Sequence, residues 1–223
     1  MIAYYKQSNE VQATVNAYET IQYLRAVSGF GLIEGYSIDQ VRKMFDVNVY
    51  SVLRMYQAVL PSMRKERNGL VINITTGASG HTLPFMVPYI ASKLVVESFT
   101  EGLQDELADY GIENVSIQPG VYPTEMNNGS KAGIHADKPA IIEEYGDAAT
   151  DKFNALGTAL FGKMAQFDMN PQTIANGILE LVSMKKGERP LRFPLDAIAQ
   201  GTDKEFIEAR ATIKAKWVAA YTN

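Results

Sequence analysis

The sequence contains no cysteine and only two histidines among its 223 residues. The first absence removes disulfides, thiolate nucleophiles and cysteine-based zinc sites, and it fits a reducing compartment. The second leaves His81 and His135 as the imidazoles, far apart and without a His-x-x-x-His pair, so no metal centre is expected. Positive charge is not in excess either: 21 Lys and Arg stand against 25 Asp and Glu, a net charge of −4, which argues against nucleic acid as a partner. No stretch reaches the ~18 apolar residues of a membrane span, and Lys6 and Glu10 fall where a signal peptide needs an apolar core. A soluble, cytoplasmic protein is the expectation. What the chain does have is apolar residues, 46% of the total, enough to bury the core of one domain.

From Ser37 onward, Ile38, Val41, Met44, Phe45, Val49, Val52, Leu53, Tyr56 and Leu60 recur at three- and four-residue steps, which predicts a long buried helix. Ser37 with Gln40 three residues later is a capping box, and Arg64, Lys65 and Arg67 sit where the helix dipole favours cations. Pro61 is a candidate kink. Asn68-Gly69 ends the pattern, and Leu70 to Ile74 is a β-branched apolar run that predicts a strand. Small residues from Thr75 to Gly80 predict a loop. Helical periodicity returns from Tyr89 to Tyr110 and stops at Gly111, and Val115 to Gln118 is the next predicted strand, closed by Pro119-Gly120. Residues 122 to about 168 show weak periodicity and are expected to form a lid or binding loop. Asn170-Pro171 reads as a cap and first-turn proline, leading to a helix, a short strand near Leu191 to Phe193 and a final helix near Lys204 to Ala219. Non-alternating, β-branched strands that alternate with helices argue for a parallel sheet covered by helices, with ligands beyond the carboxyl ends of the strands. The chain is thus divided into 1–36, a degenerate N-terminal part; 37–121, the core; 122–168, the loop region; and 169–223, a helix-strand-helix.

Two pieces of chemistry fall on the predicted site side. Tyr89 and Lys93 are at i and i+4, one above the other on a helical face. A phenol titrates near ~10 in water, and a neighbouring cation favours phenolate, so the pair could act as a general acid/base. Tyr-x-x-x-Lys by itself is weak, because a chain rich in both residue types produces it by chance. Thr76, at the end of the first predicted strand, could bring a hydroxyl to the phenol. Ser79-Gly80-His81 lacks the Gly-x-Ser-x-Gly pattern of a nucleophile elbow, so a hydrolase triad is not expected there.

Taken together, Asp46-Val-Asn48, Asn73-Ile-Thr-Thr76, Tyr89-x-x-x-Lys93 and Pro119-Gly120-Val-Tyr-Pro-Thr124, in that order, resemble the short-chain dehydrogenase/reductase family over residues 27 to 200. The resemblance implies an α/β fold with a Rossmann-like doubly wound parallel sheet, and hydride transfer between NAD or NADP and an alcohol or carbonyl substrate. It assigns catalysis to Asn48, Thr76, Tyr89 and Lys93. Tyr89 would move the proton, Lys93 would hold the nicotinamide ribose and lower the pKa of Tyr89, and Asn48 would fix a relay water. Thr76 stands where the family usually has serine, and its extra methyl stiffens the rotamer and narrows the pocket. Cofactor contacts fall to Tyr89, Lys93, Pro119, Gly120 and Thr124. Other readings stay open: Asn48 could satisfy backbone groups inside a buried helix, and Thr124 could be a cap or turn residue.

The family opens with a strand, a Thr-Gly-x-x-x-Gly-x-Gly turn and a helix that binds pyrophosphate. This sequence has no such turn. Gly29-Phe-Gly31-Leu-Ile-Glu-Gly35 has the wrong spacing and matches a later element, where the family's Asn-Asn-Ala-Gly reads Ala26-Val27-Ser28-Gly29. With Asn9 to Gln22 read as the preceding helix, about two strand-helix units are lacking, on the order of 60 residues at ~30 each. The expectation is therefore a truncated member whose fourth strand lacks its neighbour. The rival to the enzyme is a non-catalytic oligomerisation or binding module. A homodimer or homotetramer through the helices near 38 to 67 and 89 to 110 is expected under either, and apolar residues among 122 to 168 suggest a partly apolar substrate.

Overall fold

A computed structural model describes residues 2–4, 26–124 and 133–222. The capping box forms as expected: Gln40 N donates to Ser37 Oγ at 3.1 Å and Ser37 N to Gln40 Oε1 at 2.8 Å, starting α1 (Ile38–Phe45). The helix then widens into a π turn, Asp46–Tyr50, in which Ser51 N reaches back to Asp46 O, and resumes as α2 (Ser51–Glu66). Pro61 lies inside α2 without ending it, and Arg67 in the left-handed region, with φ of 51°, closes it. β2 (Gly69–Ile74) leads through a 3-10 turn at Gly77–Gly80 to α3 (Val87–Ala108), which Gly111, at φ of 65°, follows before β3 (Ile112–Pro119).

β2, β3 and β4 (Arg192–Leu195) run parallel, with Asn73 level with Ser116 and Ser116 level with Arg192. Helices α2 and α3 cover one face. The other carries α6 (Gln172–Ser183), begun by the predicted cap, Asn170 Oδ1 accepting from Gln172 N at 2.9 Å. α7 (Thr202–Thr222) ends the described chain. The fold is α/β with a parallel sheet between helices, as the motifs imply. Among the described residues no helix is long and apolar enough to cross a membrane.

Three details lie outside what the sequence predicts. The edge of β2 is paired by β1 (Ile2–Tyr4), antiparallel, with Ile2 opposite Ile72 and Tyr4 opposite Leu70. Residues 26–29, in register with the family's strand-ending turn, bond to the segment after residue 132: Ser28 O accepts from Ile134 N at 2.8 Å, and Phe30 O from Ala136 N at 3.2 Å, while the strand expected before them lies outside the described residues. Finally, the loop region holds α4 (Pro139–Tyr145) and α5 (Asp147–Met164). Phe153 and Phe161 of α5 are exposed, so its apolar residues make no core stripe for periodicity to detect, although its Ala, Leu and Lys are good helix formers. The helix expected at residues 9 to 22, and Met126, lie outside the described residues.

Candidate active site

The alternation of β2, carried on into the residue after it, places Asn73 and Thr75 toward α3, and Lys93, one helical turn beyond Tyr89, reaches back to the carbonyl between them. Lys93 Nζ donates to Ile74 O at 2.9 Å and is 5% exposed. Burial pushes its ammonium down to about 8, so it keeps its proton at neutral pH. Tyr89 is also buried, and burial pushes its phenol up to about 12 while a hydrogen bond with the Thr76 side chain works the other way. The structure therefore brings Thr76, Tyr89 and Lys93 together. The phenol in it is raised by burial rather than lowered by the lysine. At neutral pH the phenol keeps its proton and is able to donate a hydrogen bond.

Thr76 caps the Gly77–Gly80 turn. Ser79 fixes that turn from within, donating through Oγ to Thr76 O at 2.5 Å. Ser79 is thus buried and occupied while His81 is exposed, which separates the two residues of the hydrolase pattern.

Asn48, buried in the π turn, is committed to protein partners. Its Nδ2 donates to Val27 O at 2.8 Å and Ser92 Oγ at 2.9 Å, and its Oδ1 accepts from Val27 N at 2.8 Å. Ser92 Oγ in turn donates to Tyr89 O at 2.6 Å, so Asn48 is linked to the backbone of Tyr89. The extra residue of the π turn aims this amide at α3.

At the neighbouring strand end, Gly120 N donates to Leu195 O at 3.0 Å, which ties the Pro119-Gly120 turn to β4. A Cβ at Gly120 would overlap the Asp196 carboxylate, so the side chain that requires glycine there is Asp196. Thr124 is exposed. A cavity of about 320 Å³ opens beside this turn, with Tyr122, Asp168, Thr173, Asp196 and Asp203 in its wall. Burial holds the Asp196 carboxyl above its usual range against two backbone hydrogen bonds, from Ile198 and Ala199.

The residues fit the nicotinamide end of a dinucleotide. A buried ammonium sits beside a buried phenol, and Ile74 O is its one recorded hydrogen-bond partner among the described residues, for three donors. For the pyrophosphate end the sequence offers no Gly-rich turn. Gly29 and Gly31 are packed under residues 134 and 136, where a Cβ at Gly31 would lie 2.5 Å from that of Ala136.

Several residues around the site were not singled out by the sequence patterns: Glu97, Thr75, Gln118 and Arg192, joined by hydrogen bonds, and Asp196. Glu97 had a usable signal. It is a carboxylate within an otherwise apolar helical stretch, on the same row as Tyr89 and Lys93.

Comparison with known proteins identifies the family. The profile of the family described as short chain dehydrogenase matches residues 4–134. An uncharacterized oxidoreductase of Bacillus subtilis, YusZ, is 30% identical over 184 residues, 81% of this chain and 63% of its own length. Human retinol dehydrogenase 8 is 29% identical over 169 residues, 74% of this chain and 53% of its own. The chain thus spans less than two thirds of either relative. The crystal structure of a short-chain dehydrogenase from Streptomyces avermitilis shares the fold, with a TM-score of 0.66 at 22% identity, covering 94% of this chain and 74% of that one. With the motif order, the parallel sheet and the profile match in agreement, the chain belongs to the short-chain dehydrogenase family.

Proposed function

We propose that the protein is an NAD(P)-dependent oxidoreductase that moves hydride between the nicotinamide and an alcohol or carbonyl carbon, with Tyr89 as the general acid/base. The observation that carries this reading is the buried row of Tyr89 and Lys93 on α3, with Thr76 against the phenol and Ile74 O on the ammonium. The cofactor supplies or accepts the hydride. The chain's own residues handle the proton and the orientation. Tyr89, neutral at pH 7, hydrogen-bonds the substrate oxygen and protonates it as reduction proceeds, or takes its proton in the reverse direction. Thr76 holds that oxygen from the other side. Lys93 offers its remaining donors to the ribose hydroxyls, and its charge offsets the negative charge on Tyr89 once the proton has left. Asn48 serves the relay by fixing Ser92 and the turn that carries Tyr89, its own amide being committed. Pro119, Gly120 and Thr124 would flank the nicotinamide.

The substrate is read as a small, partly apolar alcohol or carbonyl compound admitted past residues 122–168. The division of the chain at 36, 121 and 168, a cytoplasmic setting and pairing of copies through α2 and α3 belong to the same proposal. The deciding experiment is calorimetric titration of the purified chain with NADH and NADPH beside Tyr89→Phe. Saturable micromolar binding by both proteins, with hydride transfer lost in the variant, is expected. A folded chain that binds neither nucleotide overturns the reading and favours a binding module.

A further inference from the structure

Glu97 lies one turn beyond Lys93 on the same face of α3, so 89, 93 and 97 form a row. It is 1% exposed. An ionised carboxylate buried to this extent needs every oxygen hydrogen-bonded. Its Oε1 accepts from the Thr75 hydroxyl at 2.6 Å and from Gln118 Nε2 at 2.9 Å, and its Oε2 from Arg192 Nε at 2.9 Å.

These donors come from three neighbouring strands: Thr75 directly follows β2, Gln118 is next to last in β3, and Arg192 opens β4. Two of the three arms border the proposed site. Thr75 stands between Ile74, whose carbonyl holds Lys93, and Thr76, which meets Tyr89. Gln118 precedes the Pro119-Gly120 turn. Stability alone does not call for this arrangement, because well-packed apolar residues in place of a buried ion pair are often as stable or more so. What a carboxylate adds over a leucine is direction, since each hydrogen bond fixes its donor along a particular line.

We infer that Glu97 is the positioning residue of the site, its carboxylate setting Thr76, the Ile74 carbonyl and the Gly120 turn in place around Tyr89 and Lys93. Its catalytic meaning rests on the nicotinamide reading above, while its effect on Lys93 does not. Arg192 extends the link outward: its NH2 holds Glu101 at 2.5 Å, and Glu101 binds Arg210 at 2.7 Å and Lys214 at 2.6 Å, both on α7.

The test uses Thr75→Val, which removes the hydroxyl without changing charge, and Thr75→Ser, which keeps it. Two readouts are taken on each folded protein: the titration midpoint of Lys93 from its 13Cε resonance, and the dissociation constants of NADH and NADPH. Thr75→Val is expected to shift the Lys93 midpoint by about half a unit or more and to weaken nucleotide binding about tenfold, with Thr75→Ser within about twofold of the parent. A role in stability alone would lower the melting temperature and leave both readouts unmoved, and that result overturns the inference. If Thr75→Val does not fold, Gln118→Met cuts a second arm and is read the same way. If the parent binds neither nucleotide, the nicotinamide reading fails, and the Lys93 midpoints still decide the role of Glu97.

Discussion

The two faces of the sheet differ in chemistry: one is apolar throughout, and the other sets a buried polar row beside an apolar cluster. Toward α6 point Leu70, Ile72 and Ile74 of β2, Val115 and Ile117 of β3, and Phe193 and Leu195 of β4, packed on Leu181, Ile178 and Val182. Toward α2 and α3 point Val71 and Ile112, packed with Val52, Tyr56 and Val96, and beside them Asn73 and Thr75, Asn114, Ser116 and Gln118, and Arg192, each of them buried. On that second face Tyr56 donates to Asn114 Oδ1 at 2.8 Å, and Asn73 Nδ2 reaches Tyr56 Oη at 2.7 Å and Thr100 Oγ1 at 2.9 Å. Apolar contact is non-directional and tolerates small slips, whereas a buried hydrogen bond loses most of its worth when its donor is misaligned. The face that carries the site is accordingly the one built from directional contacts.

The sharpest way to break that contrast is to remove the cation at its centre. Arg192→Met leaves Glu97 and Glu101 without it, and burial already works against the Glu101 carboxyl, which Lys214, Arg192 and Arg210 together hold down at about 2. A loss of about 3–5 kcal/mol is expected in chemical denaturation. A loss below about 1 kcal/mol would mean that the polar face is held by packing after all. On the opposite face, Leu181→Ala removes a 0% exposed side chain and should cost about 3 kcal/mol through its cavity, leaving the Lys93 titration where it was.

Lys93 itself is a cost to the fold. The unfolded chain keeps the proton up to 10.5 and the folded protein only to about 8, so between these pH values the unfolded state binds more protons and stability rises with pH, by about 3 kcal/mol in all. Tyr56 and Tyr89 act in the opposite sense. Raised by burial from 10.0 to about 12, they stay neutral in the fold while the unfolded chain ionises, so stability falls as pH climbs through that range. Denaturation at a series of pH values should therefore show a maximum near pH 10. Lys93→Met should remove the rise from pH 8 and be the more stable protein at pH 7; an unchanged rise would place the titration on another group.

The local elements of this fold could be read because their signals are local: Ser37 with Gln40, Asn170 with Pro171, and Gly111 each act within a turn. The strands were legible as strands but not as two-faced. They are not the non-alternating runs expected from their β-branched residues: Ile72-Asn73-Ile74-Thr75 and Val115-Ser116-Ile117-Gln118 alternate strictly, a pattern that ordinarily means one solvated face, and here the polar face is covered by α3. Tyr89, Lys93 and Thr76 could be named because motif order carries them. Glu97 and Arg192 could not be paired, because they are 95 residues apart and only the completed sheet brings them together. The same holds for Phe30 and His135, 105 apart, where the backbone N–H meets the imidazole Nδ1 at 3.2 Å.

The smallest effect is expected from the same chemistry placed in water. Arg54 and Asp46 form a guanidinium-carboxylate pair at 2.7 Å, shorter than the 2.9 Å between Arg192 and Glu97. Their side chains are 62% and 55% exposed, however, so solvent and salt screen the attraction, and Arg54→Ala should cost about 0.5 kcal/mol or less. The pair nevertheless spans the π turn, since Asp46 opens it and Arg54 lies beyond it in α2. A loss several times larger, persisting at high salt, would show that the pair holds the π turn. Asn48 would then be held indirectly by a surface charge, and the division between a directional buried face and an indifferent surface would have to be redrawn around that turn.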